Sequence, residues 1–507
     1  MIVLSAEEAG RALKTGPLKS EVVGVGTDTR SLRRGDLFVA LRGERFDGHD
    51  YVETALAAGA CGAVVERRAW AARSTAPGEP AEGATGRNAQ RNIYPVDDTL
   101  EALGALAREV RRKSGALVLA VTGSAGKTST KDILAAMMSR VCRVAVTAAN
   151  QNNEIGVPLT LLQIESDTQA VIVEMGMRGR GQIAKLARVA EPDVGIITNI
   201  YPVHLELLGS LENIAEAKAE LLRGLRPGGV GVVPLVCEPL EPCLSAAEGR
   251  VVRFTAGGGL PCANDCADVL GRVEPEESDR VQTLRVRWPA GEASLEIPAI
   301  PRHTLENLLA AVAACYAAGL PVEQCLPGFL DSGPGKGRGE VIELPGVCLI
   351  DDTYNANPAA VRAAIDNLVR VAARRGGRPV AVLGDMRELG PEERVYHRQS
   401  GEYAAVAGVK LVWGVGPLSE STADGFRAAR EAEGDAAAAG HVPSPAETSP
   451  VAASLRAGDV VLFKASRGVR LEVMVDGIAE QARAGRWASE TDEATAGATA
   501  RRPGPTE

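Results

Sequence analysis

Three near-continuous apolar runs in the middle of the chain constrain its fold more than any other feature: ALVLAV (116–121), AVIVEMG (170–176) and VGIITNI (194–200). A strand with one wet face alternates apolar and polar residues, whereas a strand covered by helices on both faces stays apolar throughout. The segments between the runs supply such helices. In KTSTKDILAAMMSR, Ile133, Leu134, Met137 and Met138 fall on one helical face. A parallel α/β sheet is the expected middle unit. The last third repeats the alternation with VCLID, PVAVLGD, KLVWGVG and DVVLFKAS among Ala-rich helical stretches. That pattern predicts a second, smaller α/β unit of Rossmann-like type. The opening stretch, with DLFVAL and a helix over 52–59, reads as a third small α/β unit.

A chain of 507 residues is too long for one core, and about 150 residues per domain suggests three. The expected bounds are 1–98, 99–330 and 331–486, with the glycine-rich DSGPGKGRGE (331–340) as a hinge and 487–507 as a disordered tail. Two low-complexity patches, 75–90 and 434–450, read as solvated surface insertions.

The formal charge of −9 offers neither a basic surface for nucleic acid nor a polybasic membrane patch. No apolar run approaches the ~20 residues that span a bilayer, and MIVLSAEEAGRALK lacks the basic start of a leader. These features predict a soluble cytoplasmic protein without membrane insertion. Nine cysteines, an odd number without regular spacing, fit reduced thiols. Cys262 and Cys266 in PCANDC have no regular second pair to complete a metal site.

The chemistry concentrates around VTGSAGKTST (121–130). The usual phosphate-loop pattern, G-x-x-x-x-G-K-[ST], needs a glycine where Val121 stands. Even so, a glycine turn between a buried strand and a helix exposes backbone N–H groups to phosphate oxygens. Gly123 and Gly126 permit the turn, with Ser124, Ala125 and Ser129 completing the loop. Lys127 can reach outer phosphates and Thr128 can ligate magnesium. A plain strand-to-helix turn with a surface lysine fits the same residues.

Three neighbours favour the phosphate reading. Glu174 ends an apolar strand at the carboxyl edge, where open α/β sheets bind ligands. His204 follows the next strand at the same edge and suggests a second metal site. Asn150, Asn152 and Asn153 supply amides that suit substrate or phosphate, though turns and caps also use them.

TGSAGKTSTK, NQNNEIGVPLT, VEMGMRGRGQI, TNIYPVHLELLGS and EAKAEL together resemble the ATP-dependent Mur ligases of bacterial cell-wall synthesis, which use T-G-x-x-G-K-[ST] as their normal loop. TDTRSLRRGDLFVALRGERFDGHDYV, RGEVIELPGVCLIDDTYNANP, LGDMRELG and VLFKASRGVRLE are most similar to the branch that joins D-alanyl-D-alanine to a UDP-N-acetylmuramoyl-tripeptide. The D-N-P-R signature of the diaminopimelate-adding branch is absent from the chain. That branch and the folylpolyglutamate synthases are the nearest alternatives. A nucleotide switch would carry an N-K-x-D element and a full-length loop, and the chain has neither.

The resemblance implies a ligase that forms an amide through an acyl phosphate, serving peptidoglycan synthesis; a monomer is the expected state. It implies that Lys127 binds ATP phosphates, and that Thr128, Glu174, His204 and a Lys218 carboxylated by CO2 surround two magnesium ions. On the residues alone, Lys218 is a surface lysine on an amphipathic helix. The resemblance further assigns ATP contacts to His303, Asn307, Arg338 and Asp352. The family's H-N-x-x-N here reads His303-Thr304-Leu305-Glu306-Asn307, with threonine in place of the first asparagine. Tyr354, Asn355 and Asn357 would face the dipeptide or acyl phosphate, and Lys464, Ser466 and Arg467 the substrate; turn chemistry explains the same residues. Thr27, Asp28, Thr29, Arg30 and Ser31 match the region that holds the uridine diphosphate end, where a surface Asp–Arg pair is the plainer account. ATP between the last two units implies hinge closure about 331–340.

Overall fold

The computed structural model describes residues 1–507 apart from 44–45, 75–91, 149–150, 204, 246–248, 258–265, 275–280, 299, 334, 336, 433–437 and 488–507. Among the described residues the strands form three sheets, each with its own helices. The first comprises β1 (Val25–Gly26), β2 (Leu37–Val39), β3 (Gly62–Glu66) and β4 (Ile93–Val96), all parallel and in chain order.

The second sheet contains β5 (Leu117–Thr122), β6 (Val144–Val146), β7 (Ala170–Glu174), β8 (Val194–Ile197), β9 (Val230–Pro234), β10 (Arg250–Thr255), β11 (Val269–Glu274), β12 (Val281–Trp288) and β13 (Gly291–Pro298). Their order is β13-β12-β11-β10-β9-β8-β5-β7-β6. The apolar runs at its centre are buried on both faces, as their composition requires. The parallel order ends in an antiparallel pair, β12 and β13, that sequence reading missed. Its signal was present: in VQTLRVRW, Leu284, Val286 and Trp288 alternate inward while Arg285 and Arg287 point out.

The third sheet is β14 (Glu340–Leu344), β15 (Val347–Asp352), β16 (Arg378–Gly384), β17 (Leu411–Val415), β18 (Ala438–Val442) and β19 (Asp459–Lys464), ordered β14-β15-β19-β16-β17-β18 with β14 antiparallel.

Two expectations are corrected here. Part of the patch 434–450 is not a solvated insertion: 438–442 forms β18 beside β17, and its Val442 is buried. Backbone pairing and one inward valine outweigh the polar composition around them. Trp487 does not begin a disordered tail, because its indole is buried in the core of the third sheet. Burial of so large an apolar ring fixes Trp487 itself. Residues 75–90, 434–437, Cys262 and 488–507 lie outside the described residues.

Helix Arg302–Ala317 is apolar nearly all round and is buried from Leu308 to Cys315. It packs on the helix Lys127–Met138 and on β9, β10 and β11, which brings its first turns to the loop after β5. Because β5, β7 and β8 run parallel, their carboxyl ends share one edge. Opposite stand the ends of β15 and β19, and a cleft of about 1740 Å³ lies between them.

Candidate active site

The loop between β5 and the helix Lys127–Met138 takes its shape from two glycines with positive φ, Gly123 at 151° and Gly126 at 77°. A Cβ at Gly123 would lie 1.9 Å from Thr198 Oγ1, and one at Gly126 would lie 2.3 Å from Asn307 Oδ1. Neighbouring strands hold the loop. Ala125 N donates to Asn199 Oδ1 at 2.8 Å, and Ser124 Oγ donates to the Tyr201 carbonyl at 3.0 Å. Thr130 Oγ1 donates to Asn307 Oδ1 at 3.3 Å, tying the loop helix to Arg302–Ala317.

Charge is arranged on either side of this loop. Thr128 Oγ1 donates to Glu174 Oε2 at 2.7 Å, and Asn152 Nδ2 donates to Glu174 Oε1 at 2.8 Å. Glu174 is 1% exposed. A buried carboxylate with two neutral partners favours a nearby cation. A carboxylate and hydroxyl this close match the oxygen donors that a hard divalent cation takes.

Lys127 Nζ and Lys218 Nζ both donate to the Gly123 carbonyl, at 2.9 and 3.0 Å. Lys218 is 2% exposed. Burial, and then repulsion from Lys127, holds its amine well below the ordinary lysine range. Lys127 is also lowered, by burial first, although Glu174 opposes the shift. The surface placement of Lys218 is therefore overturned. Ile214 four residues before it and Leu221 three after place it on the buried face of Leu211–Arg223, a spacing that was already legible in the sequence.

The opposite wall comes from the third sheet. Lys464 Nζ donates to Asp352 Oδ2 at 2.6 Å and to the Asn355 carbonyl at 3.1 Å. The Arg338 guanidinium lies 3.7 Å from the Tyr354 ring centroid, and that of Arg467 lies 5.8 Å away. His303, Asn307, Asp352, Asn355 and Ser466 line the same cleft as Lys127 and Glu174.

Three family models match the chain: "Mur ligase family, catalytic domain" over 21–111, "Mur ligase middle domain" over 121–315 and "Mur ligase, glutamate ligase domain" over 337–467. The UDP-N-acetylmuramoyl-tripeptide--D-alanyl-D-alanine ligase of Bacillus subtilis is 36% identical over 90% of this chain and 93% of its own length.

The chain belongs to the Mur ligase family.

The Mycobacterium leprae ligase of the same name is 32% identical over 94% of this chain and 95% of its own length. Among solved structures, MurF from Acinetobacter baumannii matches with TM-score 0.78 and 29% identity, covering 94% of this chain and 99% of that one. MurF from Thermotoga maritima in complex with ADP matches with TM-score 0.74 and 27% identity, covering 91% and 98%. The three-unit α/β architecture is thus that of a Mur ligase.

Not every candidate residue joins the cleft of this Mur ligase. Thr27, Asp28, Thr29, Arg30 and Ser31 lie outside its lining. Asp28 and Arg30 pair with each other at 2.6 Å. The Arg30 hydrogen bonds lower the Asp28 carboxyl to about 2. Asn153 Oδ1 accepts from Gly156 N in the turn before a helix, and Asn357 Oδ1 accepts from Ala360 N as a helix cap, both while still lining the cleft. Asn150 and His204 lie outside the described residues. Among the described residues no group of three or more His, Cys, Asp and Glu side chains stands ready for a metal.

Sequence reading missed Asn199 and Thr130, whose side chains hold the loop. Thr198 and Asn199 are the first polar pair after the apolar run of β8. They end on the edge that Glu174 already marked, which is the signal that could have found them.

Proposed function

We propose that this Mur ligase uses ATP to join D-alanyl-D-alanine to a UDP-N-acetylmuramoyl-tripeptide, giving the pentapeptide precursor of peptidoglycan. The observation that carries this reading is the loop itself. Two lysines converge on the Gly123 carbonyl and a buried Thr128–Glu174 pair adjoins it, all facing a second wall built by another domain. The relatives' names supply the substrates, and the ADP named for the Thermotoga maritima structure supports ATP as the nucleotide.

The terminal carboxylate of the tripeptide attacks the γ-phosphorus, ADP leaves, and an acyl phosphate forms. The amine of D-alanyl-D-alanine then adds to the acyl carbon. The tetrahedral intermediate breaks its carbon–oxygen bond to phosphate, and the amine proton passes to a base. Two anions must meet in the first step, so fixed positive charge governs its rate. The loop N–H groups and Lys127 are assigned to the β- and γ-phosphates. His303, Asn307, Arg338 and Asp352 are assigned to the nucleoside side. Tyr354, Asn355 and Lys464 are assigned to the reacting carboxylate and dipeptide, across the cleft from Lys127.

Thr128 and Glu174 would hold a magnesium ion, with His204 at a second, and this charge would offset the repulsion between carboxylate and triphosphate. Lys218 is the candidate for carboxylation by CO2. Only a neutral amine attacks CO2, and burial beside Lys127 shifts this amine toward its neutral form. The carbamate would turn repulsion from Lys127 into attraction. We also assign the uridine end of the substrate to 27–31, and infer a cytoplasmic monomer; no helix among the described residues is long and apolar enough to cross a membrane.

The test incubates purified protein with ATP, magnesium, D-alanyl-D-alanine and the lysine or meso-diaminopimelate tripeptide, and reads pentapeptide by mass with phosphate release. One amide per phosphate is expected. Phosphate release without amide product refutes the reading. Lys127→Ala should abolish ligation with an unchanged circular dichroism spectrum; full activity in that variant sinks the loop assignment.

A further inference from the structure

The cleft extends beyond the loop, between the helices Thr99–Lys113 and Gln182–Ala190, toward the first sheet. The two helices approach closely at Gly104, where a Cβ would stand 3.1 Å from Val189 Cγ2. Beside that crossing, Arg108 from one helix and Lys185 and Arg188 from the other line the same cleft as Lys127.

Other arginines of this extension are already neutralised. Arg11 pairs with Glu109 at 3.0 Å, Arg112 pairs with Glu191, and Arg67 pairs with Asp97 at 3.4 Å. Among the described residues, no carboxylate bridges Arg108, Lys185 or Arg188. Lys185 and Arg188 are one helical turn apart and so present their charges together. Three unpaired cations on facing helices, in a chain of net charge −9, form a local positive field that an anionic ligand would satisfy.

The reaction centre accounts for only one anion of the acceptor substrate. One Acinetobacter baumannii relative is named for a UDP-N-acetylmuramoylalanyl-D-glutamyl-2,6-diaminopimelate substrate. A molecule of that kind carries a diphosphate and a free glutamyl carboxylate besides the carboxylate that reacts. In this chain Arg30 is tied to Asp28 and lies outside the cleft.

Resting on the function proposed above, we infer that Arg108, Lys185 and Arg188 form an oxyanion-binding arm for the nucleotide-linked peptide. The arm holds the remote anions of the acceptor while its terminal carboxylate reaches the loop. Binding energy there serves orientation at a distance from the chemistry.

The test compares the parent with the double variant Lys185→Ala/Arg188→Ala and with Arg108→Ala, taking Lys410→Ala, an exposed lysine outside the cleft, as control. KM for the UDP-tripeptide should rise about tenfold or more in the double variant. The kcat and the KM values for ATP and D-alanyl-D-alanine should stay within about twofold. The rise should shrink as salt is added, since these charges are exposed, and Arg188→Lys should restore most of it.

Calorimetric titration separates the two anion sources. Weaker binding of UDP alone assigns the arm to the diphosphate, whereas loss confined to the UDP-tripeptide assigns it to the peptide carboxylates. Unchanged affinity for both overturns the arm. Titration needs no turnover, so a parent protein that makes no pentapeptide would refute the ligase reading separately from the binding comparison.

Discussion

Gly126→Ala tests the loop where it meets the helix Arg302–Ala317. The backbone there has φ 77°, and an added Cβ would stand 2.3 Å from Asn307 Oδ1. Holding an L-residue in the left-handed region costs roughly 1–2 kcal/mol. Asn307 must also withdraw, removing the hydrogen bond it accepts from Thr130, worth about 0.5–1.5 kcal/mol. The expected destabilisation is about 2–3 kcal/mol. For a domain of the middle unit's size this lowers the melting transition by about 4–12 °C. Displacing the loop should also slow ligation about 100-fold.

Differential scanning calorimetry and the coupled ligation assay read both effects. In an Asn307→Ala background the clash is gone but the strained backbone remains. Gly126→Ala should then cost about 1 kcal/mol less than in the parent. Equal costs in the two backgrounds would show that Asn307 does not pack on the loop. A parent-like melting point and rate in Gly126→Ala would refute the glycine argument altogether.

Lys218→Ala should be inactive, with partial rescue by a short carboxylic acid that replaces the carbamate; unaffected activity removes the carbamate assignment. Because the folded chain lowers the Lys218 pKa, the unfolded state binds more protons between the depressed value and the ordinary ~10.4. The burial penalty is thus largest at low pH and fades as pH rises toward that ordinary value. Lys218→Met should be more stable than the parent at neutral pH, by a margin that narrows on alkaline titration; urea unfolding in CO2-free buffer measures it, and a constant margin contradicts the shift. Glu174→Gln should raise the magnesium concentration needed for half-maximal ligation at least about tenfold, and a chelator should stop ligation by the parent. An unchanged magnesium titration would remove Glu174 from the metal site.

Much of the middle unit was legible because its signals are local. The runs around Val118, Ile172 and Ile196 are apolar nearly throughout, and only strands covered on both faces bury such runs. Glu174 and Lys127 could be read as site residues because each ends or follows such a run. The third sheet was legible for the same reason, but its edge strand β18 was not. AAGHV carries one fully buried side chain, Val442, and owes its conformation to backbone pairing with β17. Trp487 was unreadable for a related reason. Its polar neighbours dominate any window, while the core it fills is built from Val347, Phe463 and other residues far away in sequence.

By itself, the sequence determined the strand–turn–helix geometry of the loop, the parallel centre of the middle sheet and the family resemblance, since each depends on neighbours within a few tens of residues. Tertiary structure alone decided the electrostatics. The amines of Lys127 and Lys218 share the Gly123 carbonyl because Leu211–Arg223 packs beneath the loop, and the low dielectric there shifts both. It also decided which charges stay available. The Arg30–Asp28 pair is local in sequence, whereas Arg108 comes to line one cleft with Lys185 and Arg188 only because two helices cross at Gly104. Pairing and desolvation act over ångströms in space, and separation along the chain does not measure them.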